Sequence, residues 1–110
     1  MSELEMQILQ IISAAGESKA KAFQAFNKIE ECDYAGAREL LKEAKKIDLE
    51  AHKAQSELIR KELSQDGEEK LTVTLLMVHA QDHYMTSQLA RDLIEKMIDV
   101  FESKEGKKWK

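Results

Sequence analysis

His79, Asp82 and His83 place two imidazoles and a carboxylate within an otherwise mostly apolar run, Leu75-Leu76-Met77-Val78-His79-Ala80-Gln81-Asp82-His83-Tyr84-Met85-Thr86. On a helix of 3.6 residues per turn, His79 and His83 stand four apart and Asp82 three from His79, so all three project from roughly one face. One chemistry open to this set is phosphoryl transfer. An imidazole with its ordinary pKa near ~6.5 is largely neutral at cytoplasmic pH, and its free ring nitrogen can attack phosphorus without a separate general base. Such a transfer asks the protein mainly for alignment and charge stabilisation, which a short rigid helix can supply. The chain has no Gly-rich phosphate loop and no Walker lysine motif, so a phosphoprotein fits as donor better than a nucleotide. Two other readings use the same residues. The spacing His79-x-x-Asp82-His83 offers zinc two imidazoles and a carboxylate. Alternatively, the three are satisfied polar residues in the core of a structural helical adaptor.

The elements that hold these residues follow from composition and periodicity. A chain of 110 residues is read as one domain, 1–110, with a core small enough that oligomerisation would help it. With 35% charged residues, four glycines and no proline, the composition favours long amphipathic helices, and the expected class is all-α. The formal charge of -4 and lysines interspersed among acids argue against a nucleic-acid surface; the basic cluster Lys107-Lys108-Trp109-Lys110 is a tail. Cys32 stands alone, so no disulfide forms within the chain. The N-terminal apolar residues Met6, Ile8, Leu9, Ile11 and Ile12 are interrupted by Glu3, Glu5, Gln7 and Gln10, a pattern of neither a signal peptide nor a membrane span. A soluble cytoplasmic protein without membrane insertion is expected.

Helix 1 is expected over about 3–31, with Leu4, Ile8, Ile11, Ile12, Ala15, Ala22, Phe23, Phe26 and Ile29 on its buried side. Gly16 interrupts it, at a cost of roughly 1 kcal/mol relative to alanine, and suggests close approach by another backbone. Asp33 has the chemistry of an N-cap for a second helix over about 34–63, which buries Ala37, Leu40, Leu41, Ala44, Ile47, Ala51, Ala54, Leu58 and Ile59. Ser64-Gln65-Asp66-Gly67 reads as a loop with nothing apolar to anchor it. Helix 3 is expected from Glu68 or Lys70 to Glu102, with 103–110 frayed. Short connections then give three long helices in an up-down-up antiparallel arrangement. Helix 3 carries two rows side by side: Thr72, Leu75, His79, Asp82, Thr86, Leu89 and Leu93, and Leu76, Ala80, His83, Ala90, Ile94, Met97 and Phe101. A monomer would leave one row wet, so self-association is expected. Met77, Met85 and Met97 are read as core, and Lys42-Glu43-Ala44-Lys45-Lys46 as a solvated face.

The string Val78-His79-Ala80-Gln81-Asp82-His83, followed by Met85-Thr86, resembles the enzyme IIA component of the lactose/cellobiose branch, including N,N'-diacetylchitobiose, of the phosphoenolpyruvate-dependent sugar phosphotransferase system. Supporting segments are Ala15-Gly16, Asp33-Tyr34, Ala51-His52-Lys53-Ala54-Gln55-Ser56-Glu57-Leu58-Ile59 and Leu89-Ala90-Arg91-Asp92-Leu93. The resemblance implies a homotrimeric helical bundle in which His79 takes a phosphoryl group on Nε2 from the histidine-containing phosphocarrier protein. It passes the group to a cysteine of the sugar-specific enzyme IIB, driving uptake of a disaccharide, with cellobiose or diacetylchitobiose preferred to lactose. Gln81 and His83 would support the transfer; Gln55 and His52 stand between that role and a structural one. Three Asp82 carboxylates would meet on the trimer axis, where like charges invite a cation, and the resemblance implies Mg²⁺ or another divalent ion there. The sequence departs from the family pattern at Tyr84, where leucine is common, at Lys19-Ala20, where Arg-Ser is expected, and at Cys32, where glycine is usual.

Overall fold

The computed structural model describes residues 2–64 and 72–105. It contains three helices, α1 (Glu3–Glu30), α2 (Tyr34–Leu63) and α3 (Leu75–Glu105), and no strand among the described residues. Side-chain bonds give the topology. Gln7 meets Glu57 and Lys61, while Lys21 meets Glu43, so α1 and α2 are antiparallel. Arg38 meets Asp99, Lys45 meets Glu95 and Gln55 meets Gln81, so α2 and α3 are antiparallel too, and α1 runs parallel to α3.

Local chemistry sets each boundary. Ser2 and Glu5 form a reciprocal capping box that opens α1. The helix closes on a Schellman turn, with Cys32 N–H donating to the Ile29 carbonyl and Asp33 N–H to that of Lys28. Cys32 sits there at φ 59°, a left-handed conformation that glycine adopts without strain. The Asp33 carboxylate then accepts from Gly36 N–H at 2.9 Å and opens α2 as expected. Helix α3 starts later than the expected Glu68 or Lys70. Residues 72–74 are non-helical, and Thr74 accepts from Met77 N–H through Oγ1 and from Val78 N–H through its carbonyl. The β-branched run Thr72-Val73-Thr74 is poor helix material, which places the cap at its end. At the other end α3 continues through Ser103–Glu105, past the expected Glu102; residues 106–110 of the expected frayed tail, and 65–67 of the expected loop, lie outside the described residues.

Two apolar clusters hold the three helices together. One joins Ile8 and Ile11 to Ala51, Leu58, Ala80 and Tyr84; the other joins Ala22, Ala25 and Ile29 to Leu41, Ile94 and Ile98. A polar level separates them, where Ser18, Asp48 and Ser87 are buried. Alanine dominates the facing stripes, which lets the backbones approach closely. Three expected core residues are exposed: Phe23, at 55%, lies one position off the buried line of Ser18, Ala22, Ala25 and Ile29; Ile59, at 46%, lies one position off the line of Ala51, Ala54 and Leu58; and Met85, at 57%, lies one position off the line of Ala80, Tyr84 and Ser87. Helix α1 runs unbroken through Gly16, and a Cβ added there would meet nothing within 4 Å, so no backbone of the same chain makes the expected close approach.

Candidate functional site

The two rows expected on α3 part company in the folded chain. Ala80 and Ile94 are buried, whereas Leu75, His79, Asp82, Thr86, Leu89 and Leu93 are exposed. His79 therefore stands on an open face, one turn into a helix whose other side is fixed by the core. His83 packs against it edge to face, with ring centroids 4.5 Å apart and planes at 84°. The ring of His83 is half-buried and its Nδ1 is buried with no hydrogen-bond partner. Burial holds the pKa of His83 below the ordinary imidazole value, the charges of Lys19 and His79 push the same way, and Asp82 partly opposes them. Thr86 Oγ1 lies 2.7 Å from the Asp82 carbonyl and 3.2 Å from that of His83, a local back-bond that occupies its hydroxyl. The Asp82 carboxylate is exposed and makes no hydrogen bond or salt bridge among the described residues.

Gln81 points elsewhere. Two positions along a helix is about 200°, so it leaves the His79 face and meets α2, where its Oε1 accepts from Gln55 Nε2. Within one chain the structure thus joins His79 to His83 and separates both from Gln81. His52 also joins the α2–α3 seam: its Nδ1 lies 2.8 Å from the Tyr84 hydroxyl, which accepts from Gln88 Nε2 at 3.0 Å. Burial raises the pKa of that phenol, and Asp48 pushes it further while Arg91 and Gln88 pull back, so Tyr84 stays protonated.

One buried group escaped the sequence reading. The Asp48 carboxylate lies 3.0 Å from Ser87 Oγ and 2.8 Å from Arg91 Nη1, joining α2 to α3 at the polar level of the core. Its signal was present: Asp48 falls on the spacing of Ala44 and Ala51, and Arg91 offers a matching cation in an otherwise apolar stretch of helix 3. Among the described residues, no group of three or more His, Cys, Asp or Glu side chains is disposed to hold a metal ion. The zinc reading of His79, Asp82 and His83 therefore has no donor set within one chain.

The sequence profile described as PTS system, Lactose/Cellobiose specific IIA subunit, matches residues 6–102. The chain belongs to this family. It is a component of the phosphotransferase system, and its function is to carry phosphoryl groups. This IIA chain is 37% identical over 100 residues to the N,N'-diacetylchitobiose-specific EIIA component of Escherichia coli, covering 91% of itself and 84% of that protein. Its fold matches the cellobiose-specific enzyme IIA of Bacillus anthracis with a TM-score of 0.89 at 31% identity, covering 98% of this chain and 96% of that one. It also matches the IIA(Chitobiose) of Escherichia coli solved in complex with HPr, with a TM-score of 0.79 at 34% identity and coverage of 96% and 99%. No helix among the described residues is long and apolar enough to cross a membrane.

Proposed function

We propose that His79 is the phosphoryl-carrying residue of this IIA chain, taking the group from the histidine-containing phosphocarrier protein and handing it to a cysteine of the sugar-specific enzyme IIB in the cytoplasm. The observation that carries this is the exposed imidazole of His79 on a rigid helix with His83 packed against its ring, in a family whose solved members include one in complex with HPr. The chemistry balances without a base. The lone pair on Nε2 of neutral His79 forms the new N–P bond as the N–P bond of the donor's ring-protonated phosphohistidine breaks. The bonding pair returns to the donor nitrogen, which leaves as neutral imidazole, and His79 becomes the ring-protonated phosphohistidine. The second transfer runs the same way towards a thiolate. His83 supports the first ring by contact, and Gln81 supports the segment through Gln55.

Assembly is part of the same reading. The open row of α3, with Leu75, Val78, Met85, Leu89 and Leu93, and the exposed Met6, Leu9 and Phe23 of α1 are more apolar surface than a small monomer leaves wet, and a homotrimer would cover it. Asp82 lies in that row, so three copies would bring three unpaired carboxylates together. Hard oxygen donors without partners suit Mg²⁺ or a similar divalent ion, which would neutralise that charge and serve assembly. The disaccharide is proposed to be diacetylchitobiose or cellobiose, a reading supported by the N,N'-diacetylchitobiose-specific and cellobiose-specific relatives. The deciding experiment is incubation with phosphoenolpyruvate, enzyme I and the phosphocarrier, then mass mapping of the modified residue. A labile gain of about 80 Da on His79 is expected, and modification of another residue overturns the reading.

A further inference from the structure

Lys19 occupies a position that neither the core nor the surface accounts for. On α1 it stands seven residues from Ile12 and seven from Phe26, so the three share one face. Ile12 packs against the cluster that also takes in Leu76, and Phe26 against the cluster that takes in Met97. Leu76, His83 and Met97 share one face of α3 on the same seven-residue repeat, and α1 runs parallel to α3. The edge between these helices is therefore apolar at both ends and carries Lys19 and His83 on its middle rungs. Lys19 is half-buried and has no hydrogen bond or ion pair among the described residues, whereas Lys21, Lys28, Arg38 and Lys45 all meet carboxylates. On the facing rung the His83 ring touches that of His79. A half-buried lysine with no carboxylate partner among the described residues is free to take up an anion that arrives from outside the chain.

We propose that Lys19 is the phosphoryl-binding cation of the site, its ammonium meeting the phosphoryl oxygens when the group sits on His79, with the His83 ring packed between helix and ligand. This rests on His79 being the carrier. The arriving dianion gains a charge-assisted partner, and the lysine gains the counter-charge it lacks among the described residues. The sequence has lysine-alanine here where the family pattern is arginine-serine, so the positive charge is retained while the serine hydroxyl is absent.

The test uses the full chain carrying Lys19→Met or Lys19→Arg, checked for unchanged helical circular dichroism. Lys19→Gln replaces the methionine variant if that one fails to fold. Acceptance of phosphoryl groups from the phosphorylated carrier is followed, the modified residue is mapped, and phosphorus NMR of the phosphohistidine is titrated. For Lys19→Met we expect modification still on His79, an acceptance rate down about tenfold and the phosphoryl ionisation raised by roughly half a unit or more, with Lys19→Arg restoring both. Wild-type rate and titration in Lys19→Met, with the group mapped to His79, overturns the role of Lys19 and leaves the carrier assignment standing. A group mapped elsewhere in the wild-type chain overturns both.

Discussion

The two sides of α3 treat polar residues in opposite ways. On the side facing α2, Gln81, Tyr84, Gln88, Ser87 and Arg91 each have a partner: Gln55 for Gln81, His52 for Tyr84, and Asp48 for Ser87 and Arg91. On the open side, among the described residues, the Asp82 carboxylate and the His83 Nδ1 have none, and the His79 ring has only the edge of His83. The first set resembles ordinary interior polarity, in which burial demands partners, with Arg91 Nε the one buried atom of that set left without a hydrogen bond among the described residues. The second resembles polarity held in reserve for something that arrives. Partner satisfaction therefore separates architecture from function better than residue type does, since both sides carry a histidine contact.

The sharpest way to break that division is His79→Ala. Its ring fills no core space, so helical content and thermal midpoint should hardly move, while phosphoryl acceptance should fall by more than about a hundredfold, which a transfer assay measures. Retained acceptance would erase the distinction between the two sides. Asp48→Ala should do the reverse. It strands Arg91 and Ser87 and should cost about 3–5 kcal/mol in urea denaturation, while phosphoryl still maps to His79 in the folded fraction. Tyr84→Phe removes one hydroxyl from the same seam, and since His52 is exposed and can bind water instead, a loss of only about 1 kcal/mol is expected. Asp82→Leu is the mildest probe. In buffer free of divalent ions, where the carboxylate is uncompensated, its replacement by an apolar side chain in an apolar row should leave the proposed trimer intact in sedimentation, with a slightly raised midpoint; loss of assembly would show that Asp82 holds the copies together.

Much of this was legible before folding. The cap at Asp33, the alanine-rich stripes of α1 and α2 and the run around His79 are local patterns whose meaning depends on a few neighbours in the chain. Cys32 was legible as a departure from glycine, and the left-handed backbone there explains why glycine is usual. Phe23 and Ile59 were misplaced because a stripe read from sequence is wider than the strip of helix that its neighbours cover. Asp48 was missed because the propensity of a carboxylate is to be wet, and its burial is made tolerable by Ser87 and Arg91, thirty-nine and forty-three residues away.

Helical periodicity and residue chemistry by themselves determined that the chain is three long helices with two imidazoles and a carboxylate near one face of the last. Those are short-range properties, set by bonds within a turn or two. Only the tertiary structure decided which face of α3 is open, turned Gln81 away from His79 onto α2, buried Asp48 and left Lys19 without an anion. Each of these depends on which helix lies against which, and the contacts that fix it join residues tens of positions apart.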